Sequence, residues 1–131
     1  MDFGKQSSVD PAKITEHLLA DKNHQIKAIL MVQTDTASSV RNDVKVVGRA
    51  IKSMAHPALF MVDCIASLGT EKFRMDDWNV DIMVAASQKG LMTPVGISFV
   101  YINDRAKAAR EEKRMRFILL GLEAPFRRKL I

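Results

Sequence analysis

The sequence predicts an α/β fold, a mostly parallel sheet with flanking helices, and two observations carry that prediction. Four short apolar runs, at residues 26–33, 58–65, 82–86 and 97–102, are bounded by turn-forming residues, as buried strands are. Around them lie stretches with helical periodicity. The order reads αβαβ(α)ββα, an alternation that favours parallel strands joined by crossovers. With 131 residues, 47% of them hydrophobic, the chain is one domain's worth and can bury a real core.

Asp10-Pro11 begins the first helix, with Asp10 as N-cap and Pro11 at the first helical position, where a missing N–H costs nothing. Ile14, Leu18 and Leu19 mark its apolar face, and Asp21-Lys22-Asn23 stops it. The first strand, 26–33, runs into a polar loop, 34–42, rich in side chains that bond to the backbone. A second helix extends from Asn42 or Asp43 to about Met54, with Val44, Val47, Ala50 and Ile51 on one face. Pro57 ends it by pushing His56 out of the α region. The second strand, 58–65, is apolar apart from Asp63. Met75-Asp76-Asp77-Trp78 reads as a short capped turn of helix, packed on the sheet edge by Phe73 and Trp78. Strands at 82–86 and 97–102 follow, and Asn103-Asp104 caps a last helix reaching at least Met115. There is no internal repeat and no low-complexity segment.

Charge is unevenly placed. Residues 104–131 hold nine basic and four acidic groups, whereas residues 1–103 hold eleven of each, so the net +5 belongs to the tail. A positive total is therefore no argument for nucleic-acid binding by the folded part. No apolar run approaches the ~20 residues of a membrane helix, and Met1-Asp-Phe-Gly-Lys lacks the hydrophobic segment of a signal peptide. The single cysteine, Cys64, lies in an apolar strand and reads as a small core residue rather than a nucleophile. With no internal disulfide possible, a reducing, cytoplasmic compartment is expected. His17, His24 and His56 have no metal-ligand spacing.

The chemistry gathers around residues 81–96, where an apolar run ends in Ser87-Gln88-Lys89 and a loop punctuated by Gly90, Pro94 and Gly96. A lysine at the carboxyl end of a parallel strand sits where open α/β sheets place ligands. Two readings of Lys89 stand on position alone: a solvated loop lysine, or an amine prepared by desolvation for Schiff-base chemistry. Asp63 likewise has two. It caps the loop after its strand, or it pairs with a cation that makes its burial tolerable.

Three segments resemble one family, the class V, fold-type-I PLP-dependent aminotransferases. Ser87-Gln-Lys-Gly-Leu-Met-Thr-Pro94 is similar to the family's cofactor-lysine segment, Phe60-Met-Val-Asp-Cys-Ile-Ala-Ser-Leu-Gly69 to the strand whose aspartate meets the pyridine nitrogen, and Thr34-Asp-Thr-Ala-Ser-Ser-Val-Arg-Asn-Asp43 to the earlier cofactor loop. The resemblance is nearest to serine–glyoxylate and alanine–glyoxylate aminotransferases and covers residues 2–109. It implies a partial large PLP-binding domain at residues 1–109, an antiparallel fourth strand, and a basic tail, 110–131, outside the match. By the same resemblance Lys89 is the Schiff-base lysine and proton carrier, Asp63 the counter-ion of the pyridine nitrogen, Gln88 a phosphate contact and Thr36 a neighbour of the 3′ oxygen. The stacking ring, the phosphate cup and the arginine for the substrate carboxylate fall outside the chain. Two positions depart from the pattern: Ser39 stands where the family usually has glycine, and Val95 replaces a proline.

The implied function is amino transfer from serine or alanine to glyoxylate. Amino acid and 2-oxo acid are then the substrates, and the complete enzyme is a homodimer with no nucleic-acid or membrane partner. Two alternatives stand beside it. One is a cysteine desulfurase-like PLP enzyme, for which Gln88 occupies the place of the usual histidine. The other is a non-catalytic module that binds anionic partners through its basic tail.

Overall fold

The computed structural model describes residues 7–113. In order these form α1 (Pro11–Ala20), β1 (Ala28–Val32), α2 (Val44–Ser53), β2 (Leu59–Asp63), β3 (Ile82–Ala86), β4 (Ser98–Ile102) and α3 (Asp104–Lys113). They build one four-stranded sheet in the order β1-β2-β3-β4. Strands β1 to β3 are parallel and β4 is antiparallel to β3, as the resemblance implies.

Three strands are shorter than the apolar runs that announce them, because side chains capture backbone N–H groups at their ends. Asp21 Oδ2 takes the Ile26 N–H at 2.6 Å, so β1 starts at Ala28. His56 Nδ1 accepts from Ala58 at 3.1 Å and Asp63 Oδ1 from Ile65 at 2.8 Å, which trims β2 at both ends. β4 begins one residue later than expected, where the Ile97 N–H turns to Ser87 Oγ.

Asp10 caps α1 by accepting from the Ala12 N–H at 2.9 Å. Ile14 and Leu18, one turn apart, are buried, whereas Leu19 points 100° away from that stripe and is exposed. Asp43 caps α2 through the Val46 N–H at 3.0 Å, and Val44, Val47, Gly48 and Ile51 face inward; Ala50 is half-buried at the edge of that face. The predicted helical turn at Met75–Trp78 is a hydrogen-bonded turn instead, closed by Val80 N–H to Met75 O at 3.0 Å with Asn79 at φ 56°. It presses on α2 so closely that a Cβ on Gly48 would lie 1.8 Å from the Trp78 carbonyl oxygen. Phe73 meets Trp78 edge to face, with ring centroids 5.5 Å apart.

The core lies on one face of the sheet, where α1, α2 and Trp78 cover Met31, Phe60 and Val62. The register places Val32, Asp63, Val84 and Val100 in one cross-strand row on the other face. There Leu30 and Val100 keep 75% and 62% of their surface exposed. α3 is held at the opposite end of the strands. Asn103 Oδ1 caps it through the Ala106 N–H at 2.9 Å, while Arg105 grips the buried Asp81 carboxylate through Nε at 2.8 Å and through a second guanidinium nitrogen. Met115 and the remainder of the predicted tail lie outside the described residues. Among the described residues no helix is long and apolar enough to cross a membrane.

Candidate active site

Parallel pairing brings the carboxyl ends of β1, β2 and β3 to one edge. The loop bearing Thr36, the strand end bearing Asp63 and the turn bearing Gln88 and Lys89 all open there. Gln88, Lys89 and Thr36 are exposed and Asp63 is half-buried. Asp63 therefore escapes the full desolvation that an acid in an apolar strand would otherwise suffer. One oxygen caps its own loop, at Ile65; the other has no hydrogen-bond partner among the described residues. The Thr36 hydroxyl is free in the same sense. Amine, carboxylate, amide and hydroxyl at one edge match the aldehyde, ring nitrogen, phosphate and 3′ oxygen of PLP, so the donor set fits that cofactor.

Bonds between the loops hold this edge together. Gln33, almost wholly buried, donates its backbone N–H to Asp63 O at 2.9 Å, accepts from Ser67 Oγ at 2.8 Å and donates Nε2 to Lys72 O at 3.2 Å. Glu71 accepts from Thr34 Oγ1 at 2.5 Å and from Arg41 Nε at 2.6 Å, which ties the Thr36 loop to the segment after β2. The Thr34 hydroxyl, ahead of the Arg41 guanidinium, holds the Glu71 carboxyl below its ordinary range. The Lys89 turn is seated against the same segment by two glycines. A Cβ on Gly69 would meet Gly90 O at 2.7 Å, and one on Gly90 would meet Leu68 O at 2.3 Å. Gly69 also has φ +94°, so close approach and conformation both demand glycine there.

In the Thr36 loop, Asp35 accepts from the Ser38 hydroxyl at 2.6 Å and from the Ala37 N–H at 3.1 Å. The hydroxyl first, and the amide second, lower its carboxyl pKa. Ser39 stands at φ 58°, in the left-handed region that glycine adopts without strain. Cys64 is fully buried, and burial pushes its thiol up to about 12. A thiol so placed is a core residue, as its position in an apolar strand predicts, and offers a desulfurase reading no nucleophile. A separate cleft of ≈ 460 Å³ runs along β1 beside α1, lined by Leu30, Val32 and Asp35 among others; Asp63, Gln88 and Lys89 are not in its wall.

Sequence reasoning passed over Gln33, Ser67, Glu71 and Ser87. Polar residues closing apolar runs were the available signal for Gln33 and Ser87. Nothing local announced Glu71, whose partners lie 30 and 37 residues away.

A parallel sheet whose carboxyl edge presents a lysine turn and a strand-end carboxylate has polar groups where open α/β sheets place their ligands. The family model for class V aminotransferases matches residues 2–115, and the chain belongs to that family. It is 45% identical over 101 residues to the serine–glyoxylate aminotransferase of Methylorubrum extorquens, covering 77% of this chain and 25% of that enzyme. It is 43% identical over 103 residues to the L-aspartate–glyoxylate aminotransferase of Paracoccus denitrificans, covering 79% and 26%. Among solved structures, the alanine–glyoxylate aminotransferase of Nostoc sp. superposes with a TM-score of 0.73 at 24% identity, over 84% of this chain and 28% of that one, a likeness of fold. The chain thus spans about a quarter of the length of the relatives it matches.

Proposed function

We propose that this chain is the cofactor-lysine core of a PLP-dependent aminotransferase that moves an amino group from serine or alanine to glyoxylate. The convergence of Lys89 and Asp63 on one strand edge carries the reading. Bound PLP would supply an electron-withdrawing ring that carries the amino group and makes a Cα proton removable. Lys89 Nζ would hold the cofactor and serve as the base that carries the Cα proton. Asp63 would supply the counter-charge for the ring nitrogen, Gln88 an amide for the phosphate and Thr36 a hydroxyl for the 3′ oxygen. Glyoxylate is common to the names of the two relatives cited at 43–45% identity, which supports it as acceptor, while their donors differ. A reducing, cytoplasm-like compartment fits a chain whose one cysteine is free and buried, and a homodimer is what the family resemblance implies for the complete enzyme.

The reading is tested by titrating the chain with PLP and following the visible absorbance of the lysine-bound form. Lys89→Ala should abolish that band. Asp63→Ala should weaken binding about tenfold or more through loss of the counter-ion, and Asp63→Glu should restore little, because an added methylene misplaces the carboxylate. An undiminished band in Lys89→Ala would sink the reading.

A further inference from the structure

We propose that Ser87 is a positioning residue for Lys89: its side chain opens the β3–β4 hairpin two residues before the lysine and clasps the loop that results. This rests on Lys89 being the cofactor lysine, and it concerns a residue to which that reading gives no role. The observation is a substitution within the ladder. Continuing the β3–β4 register beyond Ala86–Ser98 makes Ser87 and Ile97 the next pair, and in a regular antiparallel ladder such a pair exchanges two N–H···O=C bonds. One is present, Ser87 N–H to Ile97 O at 3.0 Å. The other is not made to the Ser87 carbonyl. The Ile97 N–H goes to Ser87 Oγ instead, at 3.4 Å. This is why β4 begins at Ser98.

The diverted carbonyl has a second use. It accepts from the Thr93 N–H at 3.1 Å and from the Thr93 hydroxyl at 2.9 Å. Ser87 Oγ meanwhile donates to Pro94 O at 2.7 Å. Every polar atom of this residue, which is fully buried, is therefore bonded to the far limb of its own loop. The lysine lies in the short arc so enclosed, a turn closed by Met92 N–H to Lys89 O at 2.9 Å. Alanine at position 87 would return the carbonyl to the Ile97 N–H, extend the hairpin by one pair and release Thr93 and Pro94. A lysine backbone displaced by even an ångström loses much of its catalytic value.

The test compares the wild-type chain with Ser87→Ala, Thr93→Val and Thr93→Ser. Amide hydrogen exchange is measured without cofactor, and PLP affinity by absorbance. In Ser87→Ala the Thr93 amide should exchange about tenfold faster while Ile97 stays as protected as before, and PLP affinity should fall about tenfold. Thr93→Val should lower affinity in the same direction and Thr93→Ser should restore it, which keeps the proposal testable should Ser87→Ala fold poorly. Unchanged Thr93 exchange, or a uniform rise across the hairpin, would overturn the clasp. Faster Thr93 exchange with unchanged PLP affinity would overturn the positioning role. A wild-type chain with no PLP band contradicts the cofactor reading instead, and the exchange data still decide the clasp.

Discussion

A carboxylate buried as fully as that of Asp81 is tolerated only when charge-assisted bonds replace its water. Burial alone would push its pKa up; the Arg105 hydrogen bonds, the Phe60 N–H and the Asn103 amide outweigh that and hold it below the ordinary value of 3.8. A lowered folded-state pKa stabilises the fold above the ordinary value, and the stabilisation is lost as the pH falls through the lowered one. Arg105→Ala should then cost about 1–3 kcal/mol near neutral pH, a range kept low because the guanidinium is partly exposed. In that variant burial gains ground and the acid-side rise of stability with pH should flatten, which urea melts at several pH values would report. Ser39 offers the opposite sign. Relieving its φ of 58° with Ser39→Gly should stabilise the chain by up to about 1 kcal/mol, since release of left-handed strain exceeds the added chain entropy.

At the scale of elements, the packing of α2 on the Trp78 turn reverses an ordinary expectation. An exposed mid-helix glycine changed to alanine gains about 0.5–1 kcal/mol. At Gly48 the new methyl would collide with the Trp78 carbonyl, so Gly48→Ala should instead destabilise by about 1–3 kcal/mol, measurable in the same melts.

The elements themselves were largely legible in the sequence. Asp10-Pro11, Asp43 and Asn103 cap their helices as their residue types dictate, and β3 occupies the very run that predicted it. Lys89 and Asp63 stood out because each interrupts or closes an apolar run. Less was visible where tertiary partners decide. The ends of β1 and β2 depend on carboxylates and a histidine competing for backbone N–H groups. The Met75–Trp78 segment has the residues of a capped helical turn, yet the left-handed Asn79 turns the chain back after one turn. The reach of Arg105 to Asp81 spans 24 residues, and no local pattern encodes such a contact.

For the molecule as a whole, the uncovered face of the sheet is the governing fact. Leu30 and Val100 lie exposed there, and β1 and β4 each keep an unpaired edge among the described residues. Such surfaces favour association. The chain alone should therefore run above monomer size in light scattering, and the double change Leu30→Lys with Val100→Lys should move it towards monomer. Amino transfer by this chain alone should be weak or absent, because it spans about a quarter of the length of its relatives and the resemblance implies that the stacking ring, the phosphate cup and the substrate-binding arginine belong to the rest. Each such contact is worth about 1–3 kcal/mol.

The central claim is that Lys89 holds the cofactor, and covalent trapping tests it most directly. The chain is incubated with excess PLP, reduced with borohydride, digested and mapped by mass spectrometry. The pyridoxyl group should appear on the peptide containing Lys89, and its yield there should fall more in Asp63→Ala than on substitution of a distant acid such as Asp76. An adduct spread evenly over the exposed lysines, or concentrated on one other than Lys89, would contradict it.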